Sequence, residues 1–409
     1  MNTGIRIKLS LMMFLEFFIW GGWFVTLGTF LGNNLGADGG QIGQAYSTQS
    51  WGAIIAPFII GLIADRFFNA EKILGVLHLL GAGLMYMMST SGDFSNFYPL
   101  VLGYMIIYMP TLALVNSVAF KQMTDPTKEF AHVRLWGTVG WIVAGLAISF
   151  AFKWDSTAGI ESGMLSNTFL MTAIASAILG FLSFTLPATP PQSKESKSVS
   201  DILGLDALKL LADRNFFIFF LSSILICIPL AFYYAQANPF LVESKISNPT
   251  GLMTIGQVSE VLMMLLLPFF FKKFGFKMTL LFGMLAWVLR YFLFAYGGGT
   301  GAGFFMVLMG IALHGICYDF FFVSGQIYTD SKAGEKIKSA AQGLITLATY
   351  GLGMYVGFYI TGKITDANLL TDGTTHNWNN VWTFPALFAA GVMVFFFIFF
   401  KNEEIEYKE

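Results

Sequence analysis

The stretch PATPPQSKESKSVS, residues 187–200, is the longest polar run in the chain and divides it into two parts. Apolar segments of roughly 20 residues, the length of a helix that crosses a bilayer, occur on both sides of it. We therefore predict a six-helix bundle over residues 1–187, a linker over 188–214 and a second six-helix bundle over 215–409. Within the linker, residues 202–211 are expected to form a short interfacial helix. The twelve spans are placed near residues 8–30, 41–64, 72–90, 97–119, 133–153, 166–187, 215–238, 252–271, 277–296, 302–328, 339–362 and 380–400.

The composition fixes the class of protein. Hydrophobic residues make up 56% and charged residues 11% of the 409 positions, whereas about 25% of an ordinary soluble domain is charged. The chain is therefore predicted to be an all-α integral membrane protein with many spans. Its net charge of -1 gives no indication of a nucleic-acid partner. Motifs for nucleophilic catalysis, phosphate loops and His/Cys metal clusters are missing from the sequence, so we expect no enzyme activity, no cofactor and no metal.

Lysine and arginine lie mostly in alternate connections between the predicted spans. With a cytoplasmic N-terminus, the outer segments hold only Lys153, Lys245 and Lys363 among the basic residues. Short cytoplasmic loops are enriched in basic residues. Both termini are therefore expected to be cytoplasmic, which requires an even number of spans. Because the sequence has no ATP site, an ion gradient is the expected source of energy.

Apart from lysines at their first or last positions, the predicted spans contain five charged residues: Glu16, Arg134, Glu260, Arg290 and Asp319. A charge at mid-bilayer costs about 2.5–3.5 kcal/mol on insertion scales, so such groups usually face an interior cavity and serve a function. Glu16 is expected either to line the cavity or to bond to a neighbouring helix. Arg290 is expected either to extend towards the membrane surface or to pair with an acid.

One helical face of the fifth predicted span carries Arg134, Thr138 and Trp141, at positions i, i+4 and i+7. A guanidinium group, a hydroxyl and an indole on one stripe suit a ligand that has a carbonyl and a planar ring. The alternative is that Arg134 only ends a cytoplasmic loop. Gly137 and Gly140 lie on the opposite face, where they permit close helix packing.

Further candidate residues lie in the second half. Gln257 and Glu260 stand one turn apart in an apolar span, and His314, Tyr318 and Asp319 follow in another. A carboxyl group in an apolar surrounding with a polar neighbour can take up and release a proton, as a proton-coupled carrier requires. The alternative for Asp319 is a structural acid bonded to a tyrosine or histidine.

The segment YYAQANPF, residues 233–240, offers two more polar side chains. Gln236 and Asn238 precede Pro239 there. They are equally consistent with the cap of a helix end and with a binding site.

The loop GLIADRFFNAEK, residues 61–72, follows the second predicted span. It resembles the G-x-x-x-D-R signature loop of the major facilitator superfamily, with Phe67 and Phe68 where a glycine is usual. Asp65 and Arg66 are expected to clamp the two halves on the cytoplasmic side and to release them during transport. The alternative is a solvated turn with ordinary positive charge.

Several blocks together resemble a narrower family, the bacterial nucleoside:proton symporters of the major facilitator superfamily. They are RLWGTVGW (134–141), QVSE (257–260), AWVLRYFLFAYG (286–297), YDFFFVSG (318–325) and AAQG (340–343). The resemblance implies a twelve-helix carrier of the bacterial inner membrane that imports purine and pyrimidine nucleosides together with a proton. It also implies that Asp319 is the proton-coupled site. The residues that it places against the nucleoside are Arg134, Thr138, Gln257, Glu260 and Tyr318.

The chain departs from this family at two places that bear on base preference. Ala231 and Tyr234 stand where the family tends to have amide side chains, and His314 stands where relatives have a tyrosine. We therefore expect Tyr234, Gln236 and His314 to take part in binding the base, with Trp141 stacking on it.

The sequence thus predicts a monomeric carrier that works by alternating access, with its substrate in a central cavity between the halves. One alternative is a superfamily carrier for another polar solute, such as a sugar. Another is a membrane-embedded sensor or enzyme.

Overall fold

The structure is a computed structural model that describes residues 2–60, 68–191 and 205–403. Within those ranges the chain is built of helices, and one isolated β-bridge joins Leu369 and His376. The helices of the first half are α1 (Thr3–Gly21), α2 (Leu27–Leu35), α3 (Gly39–Ile59), α4 (Ala70–Ser89), α5 (Phe94–Lys121), α6 (Pro126–Leu146), α7 (Thr157–Glu161) and α8 (Ser166–Ser183). A π-helical turn, Ala147–Ala151, extends α6.

The second half begins with a 3-10 helix, Leu205–Ala212. Two π-helical turns, Asp319–Val323 and Leu347–Gly353, each lie between two α-helices of this half. The α-helices of this half are α9 (Arg214–Glu243), α10 (Pro249–Tyr296), α11 (Gly301–Ala312), α12 (His314–Tyr318), α13 (Ser324–Thr346), α14 (Met354–Ala367) and α15 (Trp378–Phe399).

In the described part of the chain, 9 helices are long and apolar enough to cross a membrane. One of them, α10, has 48 residues and turns sharply at Gly275, whose φ of 74° lies in the left-handed region that glycine adopts without strain. A similar turn occurs inside α13 at Gly334, with φ 64°. These helices make the chain a multi-pass membrane protein.

The chain forms two compact units. Unit 1 comprises Met1–Ser198 with Ser247–Thr254, and unit 2 comprises Val199–Ile246 with Ile255–Glu409. The first residues of α10 therefore belong to unit 1, although most of that helix belongs to unit 2.

Inside unit 1, a buried acid caps the start of α10. The carboxylate of Asp155 accepts the backbone N–H of Thr250 at 3.0 Å. Ser149 donates its hydroxyl to the same carboxylate, and its oxygen accepts the N–H of Gly251 at 2.7 Å. Backbone N–H groups of a first helical turn have no partner within the helix, so these two side chains satisfy them.

Small residues let α1 and α6 approach closely. A Cβ atom at Gly140 would collide with the carbonyl oxygen of Phe14, and one at Gly137 would lie 2.7 Å from the Phe17 ring. The close packing predicted for Gly137 and Gly140 is therefore confirmed. The prediction that they lie opposite the Arg134 face is wrong, because Arg134 contacts α1 as well. Close backbone approach is how membrane helices compensate for the weak hydrophobic drive between them in lipid.

The first predicted span, 8–30, is interrupted in the structure. Helix α1 ends at Gly21, and α2 begins at Leu27 after a turn. The hydroxyl of Tyr46, on α3, donates to the carbonyl of Phe24 at 2.9 Å and accepts the N–H of Gly28 at 3.1 Å. A side chain from another helix thus satisfies backbone groups that the interruption leaves free, which is a condition for breaking a helix inside a membrane.

In unit 2, the 3-10 helix Leu205–Ala212 overlaps the short helix predicted at 202–211, whose residues 202–204 lie outside the described part of the chain. Its Ala207 is fully buried and packs with Ala341 and Leu344 of α13. This segment is therefore docked on α13 through small apolar side chains.

Candidate functional site

In unit 1, the predicted binding face on α6 holds three half-buried side chains, Arg134, Thr138 and Trp141. Helix α6 begins at Pro126, so Arg134 lies in its third turn and does not merely end a loop. Its guanidinium carbon lies 4.0 Å from the centre of the Phe17 ring, a cation–π contact. The Arg134 side chain is thus held against the ring of Phe17 on α1.

An aromatic cluster that includes Trp20 and Tyr108 surrounds the same face. The Trp20 ring lies 5.7 Å from Trp141 and 5.8 Å from Tyr108, in edge-to-face geometry in both cases. Gly21 provides space for this packing, because a Cβ atom there would lie 2.8 Å from the Trp141 ring. Trp20 is half-buried, and its indole N–H finds no acceptor among the described residues. High aromatic content made single aromatic residues uninformative in the sequence.

Glu16 bonds to neighbouring helices, which decides between the two alternatives left open for it. It is fully buried, and its Oε2 lies 2.8 Å from Nε2 of His78 on α4. Thr111 of α5 donates its hydroxyl to the other carboxylate oxygen at 2.6 Å. Nothing in the sequence connected Glu16 with His78, which is 62 residues away.

In unit 2, tight packing of α10 on α12 brings Glu260 near His314. A Cβ atom at Gly315 would collide with the backbone of Ser259, and one at Gly256 would lie 3.1 Å from Cβ of His314. As a result, Oε2 of Glu260 lies 3.9 Å from Nε2 of His314. This separation is within the range of an ion pair and longer than a hydrogen bond.

Rings are stacked around His314. Its ring centre lies 5.1 Å from that of Tyr233 and 5.9 Å from that of Tyr318, with interplanar angles of 25° and 26°. His314 is buried, and its Nδ1 has no hydrogen-bond partner within the described ranges. The hydroxyls of Tyr318 and Tyr350 lie 2.6 Å apart. Tyr350 is a further neighbour of the predicted site that the sequence did not indicate.

Asp319 begins the π-helical turn that follows α12. It is 0% exposed, and neither carboxyl oxygen has a hydrogen-bond partner in the described part of the chain. The alternative of an acid bonded to a tyrosine or histidine is therefore wrong. A buried polar group without a partner is rare and costly, and membrane proteins retain ionisable groups of this kind mainly for function.

The polar residues of α9 differ in their surroundings. Helix α9 continues through Pro239 to Glu243, so Gln236 and Asn238 do not cap its end. Gln236 is 1% exposed, and its Nε2 has no acceptor within the described residues. Tyr234 is half-buried, with its ring 6.1 Å from that of Tyr233.

Gln257 and the predicted gating pair complete the set of predicted site residues. Gln257 is half-buried on α10, three positions before Glu260. Asp65 and Arg66, the predicted gating pair, lie outside the described residues.

Arg290 follows neither of the two expectations stated for it. It is 0% exposed, its Nε donates to the carbonyl of Gly310 at 2.9 Å, and its guanidinium carbon lies 4.1 Å from the centre of the Tyr233 ring. Its two terminal nitrogens have no acceptor among the residues described. The charge is thus buried against a ring and a backbone carbonyl, so it neither extends to the surface nor pairs with an acid.

Comparison with known proteins identifies the family. Residues 1–405 match the family model described as "Nucleoside H+ symporter". This chain belongs to the nucleoside:proton symporter family. It is 44% identical to YegT of Escherichia coli (strain K12) over 404 residues, which cover 98% of this chain and 94% of that protein. It is 33% identical to the xanthosine permease of the same organism, over 97% and 96% of the two chains.

A solved structure of this symporter family has the same fold. The crystal structure of the nucleoside transporter NupG matches with a TM-score of 0.85 and 29% identity, covering 98% of this chain and 100% of that chain. Family membership makes the chain a membrane transporter and not an enzyme.

Within this symporter, the predicted residues fall into two groups that the structure describes separately. Unit 1 brings Arg134 and Trp141 together with Trp20 and Tyr108. In unit 2, the polar side chains of α10 and α12 lie close to each other. The Nε2 of Gln236 and both carboxyl oxygens of Asp319 have no hydrogen-bond partner among the described residues. The roles of these residues in binding and coupling stay predictions.

Proposed function

We propose that this chain imports nucleosides into bacterial cells together with protons, as a monomeric carrier of the inner membrane. The observation that carries the proposal is Asp319, which is 0% exposed and has both carboxyl oxygens without a partner in the described structure. An isolated buried anion is costly, so a group in this position is stable as a neutral acid and needs a polar neighbour when it is ionised. That dependence on its surroundings is what proton coupling requires.

The proposed architecture has twelve membrane spans with both termini in the cytoplasm. Helices α1 and α2 count as one span, and α10 counts as two because it turns at Gly275. The turn at Gly334 divides α13 between two further spans. We propose that residues 1–187 and 215–409 form the two six-helix halves, joined by the cytoplasmic linker 188–214. The similarity to NupG supports this arrangement.

We propose that the nucleoside binds in a central cavity between these halves. Arg134 and Thr138 donate hydrogen bonds to carbonyl groups of the base, and Trp141 stacks on its ring. The half-buried position of all three on α6 supports these roles.

The second half supplies the remaining contacts. Gln257 and Glu260 bind ribose hydroxyls, because amide and carboxylate oxygens accept hydrogen bonds from them. Tyr318 stacks on the base, and His314 with Tyr234 sets the preference among bases. Gln236 is assigned to recognition because its buried amide donor has no protein acceptor within the described ranges.

In the transport cycle, Asp319 takes a proton from the outer side while the cavity is open there. The nucleoside then binds, the two halves rock, and both substrate and proton leave on the inner side. A ligand or proton moves such an equilibrium only if it binds one state more tightly than the other. Asp65 and Arg66 are proposed to clamp the cytoplasmic side until this step.

Uptake into proteoliposomes under an imposed pH gradient tests the proposal. Wild-type protein should concentrate labelled uridine when the outer side is acidic, and a protonophore should abolish the accumulation. Unlabelled purine and pyrimidine nucleosides should compete, whereas sugars and free bases should not. Competition by sugars alone, or binding with no flux, would contradict nucleoside import.

A further inference from the structure

A hydrogen-bonded network joins four helices of unit 1 behind the aromatic cluster. Glu16 of α1 and His78 of α4 are 0% and 2% exposed, with 2.8 Å between Oε2 and Nε2. Thr111 of α5 donates to Oε1 of Glu16 at 2.6 Å. Ser176 of α8 lies 3.1 Å from Nδ1 of His78 and donates to the His78 carbonyl at 2.9 Å. Each polar atom of the two ionisable side chains therefore has a partner.

These bonds fix both side chains in place. The His78 ring is held on one side by Glu16 and on the other by Ser176. The Glu16 carboxylate is held by His78 and by Thr111. Neither side chain can turn without breaking a buried hydrogen bond, which is costly.

The network reaches the candidate substrate face through Tyr108 and Trp20. The hydroxyl of Tyr108 donates to the backbone carbonyl of Glu16 at 2.8 Å. The Tyr108 ring packs against Trp20, which stands one helical turn after Glu16 on α1 and packs in turn on Trp141. A displacement of α1 at Glu16 would therefore move the rings that surround Trp141.

We propose that Glu16 and His78 are a positioning pair, which fixes Tyr108 and Trp20 against Trp141. The inference rests on the proposed role of Trp141 in nucleoside binding. Every polar side-chain atom of this pair has a hydrogen-bond partner, whereas the carboxyl oxygens of Asp319 have none in the described structure. Removal of one partner from such a buried pair is costly, because the remaining polar groups lose their compensation.

Two substitutions of Glu16 test the proposal in the full-length protein. In Glu16→Gln, the amide donates to Nε2 of His78 and its oxygen accepts from Thr111, so both bonds persist. Uridine affinity measured by calorimetry should stay within about two-fold of wild type, and uphill uptake should persist. In Glu16→Ala, His78 and Thr111 lose their partner, and uridine affinity should fall by about ten-fold or more.

Glu71→Ala is the matched control. Glu71 is another buried glutamate of unit 1, whose carboxylate accepts the N–H of Thr189 at 2.8 Å. Its loss should lower the melting temperature and leave uridine affinity unchanged. If Glu16→Ala behaves in the same way, Glu16 is merely structural and the proposal is wrong. If Glu16→Gln binds uridine but cannot accumulate it, the pair takes part in coupling and the proposal is equally wrong.

A second measurement separates this inference from the proposed function. If wild-type protein binds no nucleoside, the proposed function fails, whereas the arrangement of the rings can still be measured. The near-ultraviolet circular dichroism contributed by Trp20, obtained by comparison with Trp20→Phe, should change in Glu16→Ala and persist in Glu71→Ala. An unchanged Trp20 signal in Glu16→Ala would overturn the positioning role.

Discussion

The hydroxyl of Tyr318 lies 2.6 Å from the hydroxyl of Tyr350. Tyr318 directly precedes Asp319 at the end of α12, and Tyr350 lies in the π-helical turn Leu347–Gly353. The bond therefore ties a residue proposed to stack on the base to a second helix. It orients the Tyr318 ring before any substrate is bound, and preorganisation of this kind lowers the cost of binding.

Tyr350→Phe removes this bond and keeps the ring. We expect uridine to bind about three- to ten-fold more weakly, because Tyr318 loses the partner that fixes its orientation. Titration calorimetry on purified protein measures the effect. Tyr359→Phe, at a tyrosine that is 64% exposed on α14, is the matched control and should bind like wild type. Equal affinities for all three proteins would show that the bond does not position Tyr318.

Asp319→Asn keeps the size of the side chain and removes the proton that it can release. We expect uphill uptake of uridine under a pH gradient to disappear, while binding and exchange down a gradient persist. The variant Asp206→Asn is the control. Asp206 is an exposed acid that forms a surface ion pair with Lys209, so this variant should transport normally. Uridine accumulation by Asp319→Asn would place the coupling proton elsewhere.

Glu260→Gln should weaken nucleoside binding and leave coupling intact. A charged acceptor forms stronger hydrogen bonds with ribose hydroxyls than an amide does, so we expect a loss of about ten-fold in affinity. Binding of uridine and of 2'-deoxyuridine to both proteins measures it, and the difference between the two ligands should shrink in the variant. Exposed Glu161→Gln provides the control. A ribose role for Glu260 is contradicted if the variant discriminates between the two ligands as wild type does.

Gly140→Ala tests the close packing of α1 on α6. The added methyl group would meet the carbonyl of Phe14, so the two helices must separate. Such overpacking typically costs about 1–3 kcal/mol, and a lower melting temperature in detergent should report it. Gly83→Ala on α4 is the control, because a Cβ atom there meets nothing within 4 Å. This second variant should be as stable as wild type or slightly more stable, since alanine favours helix.

Arg290→Ala should destabilise unit 2. The substitution removes a buried side chain together with its hydrogen bond to Gly310 and its contact with the Tyr233 ring. Losses of buried volume and of a buried bond of this kind cost about 2–5 kcal/mol. Thermal unfolding in detergent, compared with the exposed-site variant Lys209→Ala, measures the effect. A melting temperature equal to that of the control would show that Arg290 contributes nothing to stability.

Much of the helical arrangement could be predicted from the sequence, because the length of an apolar run and the position of a glycine determine structure close to themselves in the chain. The run of apolar residues predicted α9 and α15 within a few positions, and Gly140 indicated tight packing. The interruption between α1 and α2 could not be predicted, since it depends on Tyr46, a residue of another helix. Gly275 and Gly334 permit the sharp turns of α10 and α13 through their left-handed φ angles.

The candidate site was predictable where charge stood in an apolar span, as at Arg134 and Asp319. It was not predictable where partners are distant in sequence. His78 gave no signal as a single histidine in an apolar helix, and Tyr350 gave none among many aromatic residues. Only the folded chain places His78 at Glu16 and Tyr350 at Tyr318.

The phenol of Tyr46 has a consequence for the way the first half can move. The Tyr46 hydroxyl bonds to backbone groups on both sides of the interruption after α1. Straightening that segment would therefore leave a hydroxyl, a carbonyl and an amide buried without hydrogen-bond partners. We therefore expect the bend to persist over the proposed transport cycle. We also expect Tyr46 to couple α3 to the start of α2 whenever the first half moves.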